Sequence, residues 1–154
     1  MDNNEIFKKI NEVIGYCDIS IIYSPLLCEI DCATIPFKND SLQKTIILPK
    51  DKDSDPYIWA ASCRKQCQEE MAYILIPGKK FDIYGTRHGH GRGWYDRFLE
   101  KIPSDWVRIG VIDNSKFSLS KLKKEVWDEP VDWIVVKENS NWQVYETGAR
   151  INKR

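Results

Sequence analysis

The sequence has no surplus of charge: 23 lysines and arginines balance 23 aspartates and glutamates among 154 residues. A general nucleic-acid-binding protein carries a basic excess to meet the phosphate backbone, so that class is set aside. No apolar run approaches the roughly 20 residues a membrane helix requires, and a membrane partner is not expected. The opening residues Met1-Asp2-Asn3-Asn4-Glu5 offer neither the basic nor the apolar segment of a secretory signal, so the expected location is cytoplasmic. Histidine is scarce as well. Only His88 and His90 occur, too few for a preorganised histidine metal centre. Internal repeats and low-complexity tracts are missing.

What remains is ordinary in bulk. The apolar fraction is 42% and the charged fraction 30%, which fits a folded chain and excludes disorder as the default. A single domain over residues 1–154 is the simplest organisation, and a monomer the simplest assembly. Five cysteines, an odd number, point to free thiols in a reducing compartment. Cys28/Cys32 and Cys63/Cys67 are each four apart, and a zinc site could be drawn from the two pairs. The spacing departs from the tight knuckles of structural zinc, so these cysteines are read as small hydrophobes.

Hydrophobic periodicity predicts a helix over 5–15 and a β-branched strand over 18–23, stopped by Pro25. A short helix over 29–35, a strand over 45–48 and a solvated charged turn over 50–56 follow. Then come a helix over 58–70, a strand over 72–76, a helix over 94–101 and a strand over 107–112. Residues 119–126 read as helical or irregular, 133–136 as a strand and 142–145 as an edge strand. Near-continuous apolar strands alternating with helices predict an α/β three-layer sandwich, its mostly parallel sheet covered by helices on both faces.

Between the strand at 72–76 and the helix at 94–101 lie five of the eight glycines and both histidines. The run is Pro77-Gly78-Lys79-Lys80-Phe81-Asp82, then Gly85-Thr86-Arg87-His88-Gly89-His90-Gly91-Arg92-Gly93-Trp94-Tyr95-Asp96-Arg97. Glycines at 89, 91 and 93 permit positive φ and close approach of a ligand to the main chain. A strand–glycine turn–helix junction is where backbone N–H groups converge on an anion, and the carboxyl ends of parallel strands are where ligands bind. The turn is neither a Walker A loop nor a dinucleotide fingerprint. Arg92 supplies a donor fork suited to phosphate oxygens. Asp96 is placed to hold Mg²⁺ beside phosphates, or to face its own helix N-terminus. His88 and His90, with Asp82 or Asp96, form a weaker hydrolase reading.

These residues resemble the signature of the 5-formyltetrahydrofolate cyclo-ligase family, which reads Pro-Gly-x-x-Phe-Asp and then Gly-x-Arg-Leu-Gly-x-Gly-Gly/Lys-Gly-Tyr-Tyr-Asp. Ile22-Tyr23-Ser24-Pro25 leading to Glu29-Ile30-Asp31, and Ile109-Gly110-Val111 with Asp128-Glu129-Pro130-Val131-Asp132, are similar to its flanking segments. The resemblance spans about Ile19 to Glu138 with a shortened middle.

It implies an ATP- and Mg²⁺-dependent enzyme. The formyl oxygen on N5 of 5-formyltetrahydrofolate attacks the γ-phosphate, N10 closes the ring, and phosphate and ADP leave with the 5,10-methenyl product. It further implies that Arg87, His88, Gly89, His90, Gly91, Arg92, Gly93, Trp94 and Tyr95 bind ATP, with Arg92 and Tyr95 at the reacting centre. Asp96 and Asp128 would hold Mg²⁺, while Glu29, Trp94 and Tyr95 would contact the reduced folate. The family's leading basic helix has no counterpart before Ile19, so a non-catalytic folate- or nucleotide-binding relative is the alternative.

Overall fold

A computed structural model describes residues 2–150. In chain order it contains α1 (Asn3–Ile6), α2 (Lys8–Ile14), β1 (Ile19–Ile22), β2 (Lys44–Ile47), α3 (Pro56–Cys67), β3 (Ala72–Pro77) and β4 (Lys80–Asp82). There follow β5 (Arg87–His88), α4 (Trp94–Glu100), β6 (Val107–Asp113), β7 (Phe117–Ser118), β8 (Trp133–Glu138) and β9 (Asn141–Glu146). Six strands form the main sheet in the order β2-β1-β3-β6-β8-β9, parallel throughout except for antiparallel β9. The four inner strands β1, β3, β6 and β8 are mostly buried, which is why they read as largely apolar runs.

Side-chain contacts assign the two faces. Register places Ile74 and Ile76 level with Arg108 and Gly110. The Arg108 Nη2 donates to the Leu99 carbonyl of α4 at 3.0 Å, and the Phe81 ring lies over Gly110. This face therefore carries α4, with α3 packed on it, and the β4 region. The alternate face presents Tyr73, met edge-on by Phe37 at 5.9 Å. Phe37 in turn meets Phe7, at the α1–α2 junction, at 5.6 Å, and Phe7 meets Trp142 at 6.1 Å. Helices on both faces of a mostly parallel sheet are what the alternating pattern predicts.

Two local expectations fail, and a third, left open between two outcomes, is decided. Residues 29–35 form only a 3₁₀ turn, Cys32–Thr34. Asp31 caps it by accepting from the Ala33 N–H at 3.0 Å, and Ile35 precedes Pro36, which forces it to an extended ψ of 125°. Residues 119–126, read as helical or irregular, are irregular, because their backbone is pinned elsewhere: the Leu122 N–H donates to Asp82 at 2.8 Å and the Lys123 carbonyl accepts from His88. Part of the supposed glycine loop is instead a small sheet, β5-β4-β7. Its strands are too short for periodicity to register.

Candidate functional site

β3 delivers the chain to Pro77 at the carboxyl edge of the sheet, and the β4–β5 hairpin turns it back. Asp82, fully buried, builds that turn: its carboxylate accepts from the Tyr84 and Thr86 N–H groups at 3.0 and 2.9 Å. This occupies the side chain structurally and removes it from any hydrolase site. Gly85 is required there, with φ of 92° and a Cβ position only 2.7 Å from the Val131 carbonyl.

The hairpin exists, in effect, to place Arg87. Its Nε donates to the Pro77 carbonyl at 2.6 Å and its guanidinium lies 4.8 Å from the centre of the Tyr95 ring. Among the described residues this buried cation makes no ion pair. Burial therefore pulls its pKa down from the ordinary arginine value, with Tyr95, Asp96, Glu29 and Asp128 opposing. Gly89 does not take positive φ, contrary to expectation. Its missing Cβ is what lets the Arg87 Nη1 approach, since a Cβ there would stand 2.8 Å from it. Gly91 and Gly93 do take positive φ, at 93° and 65°.

Two cavities share Arg87, Gly89, Arg92 and Gly93 as a common wall. One is lined by Glu29, Lys52, His90, Trp94 and Tyr95. The other, a wider cleft, is lined by Lys79, His88, Asp96, Trp127 and Asp128.

In the first pocket, Glu29 closes the turn after β1 by accepting from the Leu26 N–H at 2.8 Å, and its other oxygen lies 3.9 Å from His90 Nε2. Trp94 is buried, stacked on Phe98 at 5.4 Å, and donates its indole N–H to the Ser54 carbonyl at 2.9 Å. The Tyr95 hydroxyl is buried without a hydrogen-bond partner among the described residues, and burial raises its pKa. An orphaned phenol beside an unpaired guanidinium leaves polar capacity for a ligand.

In the cleft, Asp96 accepts from the Glu129 N–H at 3.0 Å and Asp128 from the Glu125 N–H at 2.8 Å. Each spends one carboxylate oxygen and keeps the other. Burial raises the Asp96 pKa, with the Glu129 amide and Arg87 opposing. Two oxygen donors suit Mg²⁺, which keeps several waters and takes few protein ligands. Among the described residues no group of three or more His, Cys, Asp or Glu forms a metal cage. His88 donates its ring N–H to the Lys123 carbonyl at 2.7 Å if Nε2 is protonated, and lies apart from His90 in the other cavity. The cysteines make no cluster: Cys63 and Cys67 are buried on α3, and burial pushes the Cys63 thiol up to about 12.

Arg92 is the residue whose position differs most from expectation. Its guanidinium is largely exposed and pairs with Asp53 at 2.6 Å instead of pointing into the cradle. The residue that sequence reasoning missed is Lys52. The charged 50–56 segment, read as a surface turn, folds back so that Lys50 and Lys52 line the first pocket. A lysine-aspartate run looks the same whether it faces water or a site, so only the Trp94 and Tyr95 surfaces it meets could have flagged it.

Comparison with known proteins fits this geometry. No individually curated protein sequence matches the chain. Among solved structures, a 5,10-methenyltetrahydrofolate synthetase from Mycoplasma pneumoniae shares the fold with a TM-score of 0.53 at 18% identity, over 87% of this chain and 88% of that one. The Aquifex aeolicus 5,10-methenyltetrahydrofolate synthetase does so at 0.53 and 17% identity, over 94% and 82%. The sequence model described as the 5-formyltetrahydrofolate cyclo-ligase family matches residues 37–137, which include the whole glycine turn, Asp96 and Asp128, with Glu29 lying before them. The chain belongs to the 5-formyltetrahydrofolate cyclo-ligase family.

Proposed function

We propose that the protein is an ATP- and Mg²⁺-dependent cyclo-ligase, a cytoplasmic enzyme that converts 5-formyltetrahydrofolate to 5,10-methenyltetrahydrofolate with release of ADP and phosphate. The observation that carries this reading is the unpaired, buried Arg87 in the wall between two cavities. A nucleophile lodged in one cavity then faces a phosphoryl group held in the other. For phosphoryl transfer the protein's task is alignment and charge stabilisation, which such a wall supplies.

In this reading Arg87 and the turn from His88 to Tyr95 hold the triphosphate. Asp96 and Asp128 hold Mg²⁺, which when bound neutralises charge on the phosphate oxygens. Glu29, whose second oxygen is uncommitted to backbone, accepts from the N–H groups of the pterin edge. Trp94 and Tyr95 form the apolar floor, and the free Tyr95 hydroxyl donates to a substrate oxygen. Arg92, released from Asp53, adds a second cation over the transferring group.

Incubating the purified protein with Mg-ATP and 5-formyltetrahydrofolate should generate methenyl absorbance and one ADP per turnover. No product beside an active control enzyme overturns the proposal. A non-catalytic binder is the second reading, favoured by the Arg92–Asp53 pair, which holds that cation away from the cradle. Calorimetric binding of ATP or folate without turnover would select it.

A further inference from the structure

The 50–56 segment is fastened over the smaller pocket at two points. Asp53 accepts from Arg92 at 2.6 Å, and the Ser54 carbonyl accepts from the Trp94 indole at 2.9 Å. Between these ties, the Lys52 ammonium sits 4.5 Å from the centre of the Trp94 ring and 4.9 Å from that of Tyr95. It also donates to the Pro49 carbonyl, which leaves two N–H groups uncommitted. No carboxylate pairs with Lys52 among the described residues.

Arg87 lies on the same Tyr95 ring at 4.8 Å. Two unpaired cations thus meet the Tyr95 ring, and Glu29 is the one carboxylate among the described residues lining the pocket. Placing two like charges in a half-dry pocket costs free energy, and a bound anion removes that cost. The faces of Trp94 and Tyr95 keep the ammonium in place by cation–π attraction while no anion is present.

We infer that Lys52 and Arg87 form a two-cation clamp on the phosphoryl group in transit, with Lys52 touching it from the folate side. This rests on the cyclo-ligase reading. There the formyl oxygen donates its electron pair to form a new O–P bond while the bond from phosphorus to the β,γ-bridging oxygen breaks, ADP keeping that pair. N10 then bonds to the formyl carbon. The carbon–oxygen bond breaks with its pair going to phosphate, and the N10 proton passes to the phosphate. The phosphoryl charge therefore moves from the cleft of Asp96 and Asp128 into the pocket of Lys52, where neither aspartate reaches.

The titration of Lys52 adds an independent readout. Burial, with Arg87 assisting, lowers its pKa to about 8; Glu29 and Asp51 oppose this, and Tyr95 stays neutral. The ammonium is then lost as pH rises through about 8.

The test is calorimetric titration of inorganic phosphate into the full chain saturated with Mg-ADP. Lys52→Met should weaken phosphate binding about tenfold or more, as expected for one charge-assisted contact, while ADP affinity stays within twofold. Lys52→Arg should restore binding. Wild-type affinity should fall above pH 8, whereas Lys52→Arg should hold it to pH 10. Phosphate that fails to bind the wild type, binds Lys52→Met within twofold, or shows no such pH difference overturns the clamp. The pH comparison needs only wild type and Lys52→Arg, so it decides even if Lys52→Met does not fold. A wild type without folate-dependent ATP turnover ends the cyclo-ligase reading instead, and the phosphate titration still decides the site.

Discussion

Gly89→Ala isolates the contribution of the Arg87 guanidinium without touching it. The new Cβ would stand 2.8 Å from Nη1 and 3.0 Å from Nη2, where ordinary contact begins at 3.4 Å. The guanidinium must therefore retreat by about half an ångström, and its Nε is tethered to Pro77 at 2.6 Å. Gly89 has no positive φ, so the backbone accepts alanine without strain. The whole effect falls on the aim of one donor fork. Misdirecting a charge-assisted hydrogen bond to phosphate costs about 1.5–3 kcal/mol, or roughly 10- to 150-fold in Kd for ATP.

Calorimetry on wild type, Gly89→Ala, Arg87→Met and the double variant completes a cycle. Once Arg87 is gone, the glycine substitution has nothing to displace, so the double variant should bind ATP as Arg87→Met does. Gly91→Ala serves as the contrast. Its Cβ meets nothing within 4 Å but its φ is 93°, so it should lower the melting temperature through backbone strain of about 1–3 kcal/mol with no such coupling to Arg87. Equal losses from Gly89→Ala with and without Arg87 would refute the reasoning, as would ATP affinity within twofold of wild type in the single variant.

Other parts of the structure make separate predictions. Asp96→Asn and Asp128→Asn should raise the Mg²⁺ concentration for half-maximal rate at unchanged melting temperature, because each amide oxygen can still accept its backbone N–H from Glu129 or Glu125. Gly110→Ala should destabilise the fold by about 1–3 kcal/mol in urea titration, since its Cβ would come 2.5 Å from the Phe81 ring in a packed interior. Arg150→Met should cost about 3–5 kcal/mol by the same assay. Its guanidinium makes two bonds to the buried Asp132, at 2.9 and 2.8 Å, and two more to the Ser104 and Trp106 carbonyls, so truncation removes the guanidinium's two charged contacts from a buried carboxylate that still accepts from the Arg108 N–H.

The sheet strands and most helices were legible in the chain because burial on both faces leaves a run such as Ala72–Pro77 with no polar position to confuse its reading. The glycine turn was legible for a related reason. Backbone conformations open only to glycine, at Gly91 and Gly93, and an arginine and an aspartate at fixed offsets, are local properties of sequence. What only the tertiary structure decided depends on partners distant along the chain. Gly89 proves to be a space left for a side chain, Arg92 is drawn outward by Asp53, and Lys52 is brought onto the rings of Trp94 and Tyr95. A charged turn carries no mark of where it will fold back. Its place is set by a tryptophan indole that needs an acceptor and finds it at Ser54.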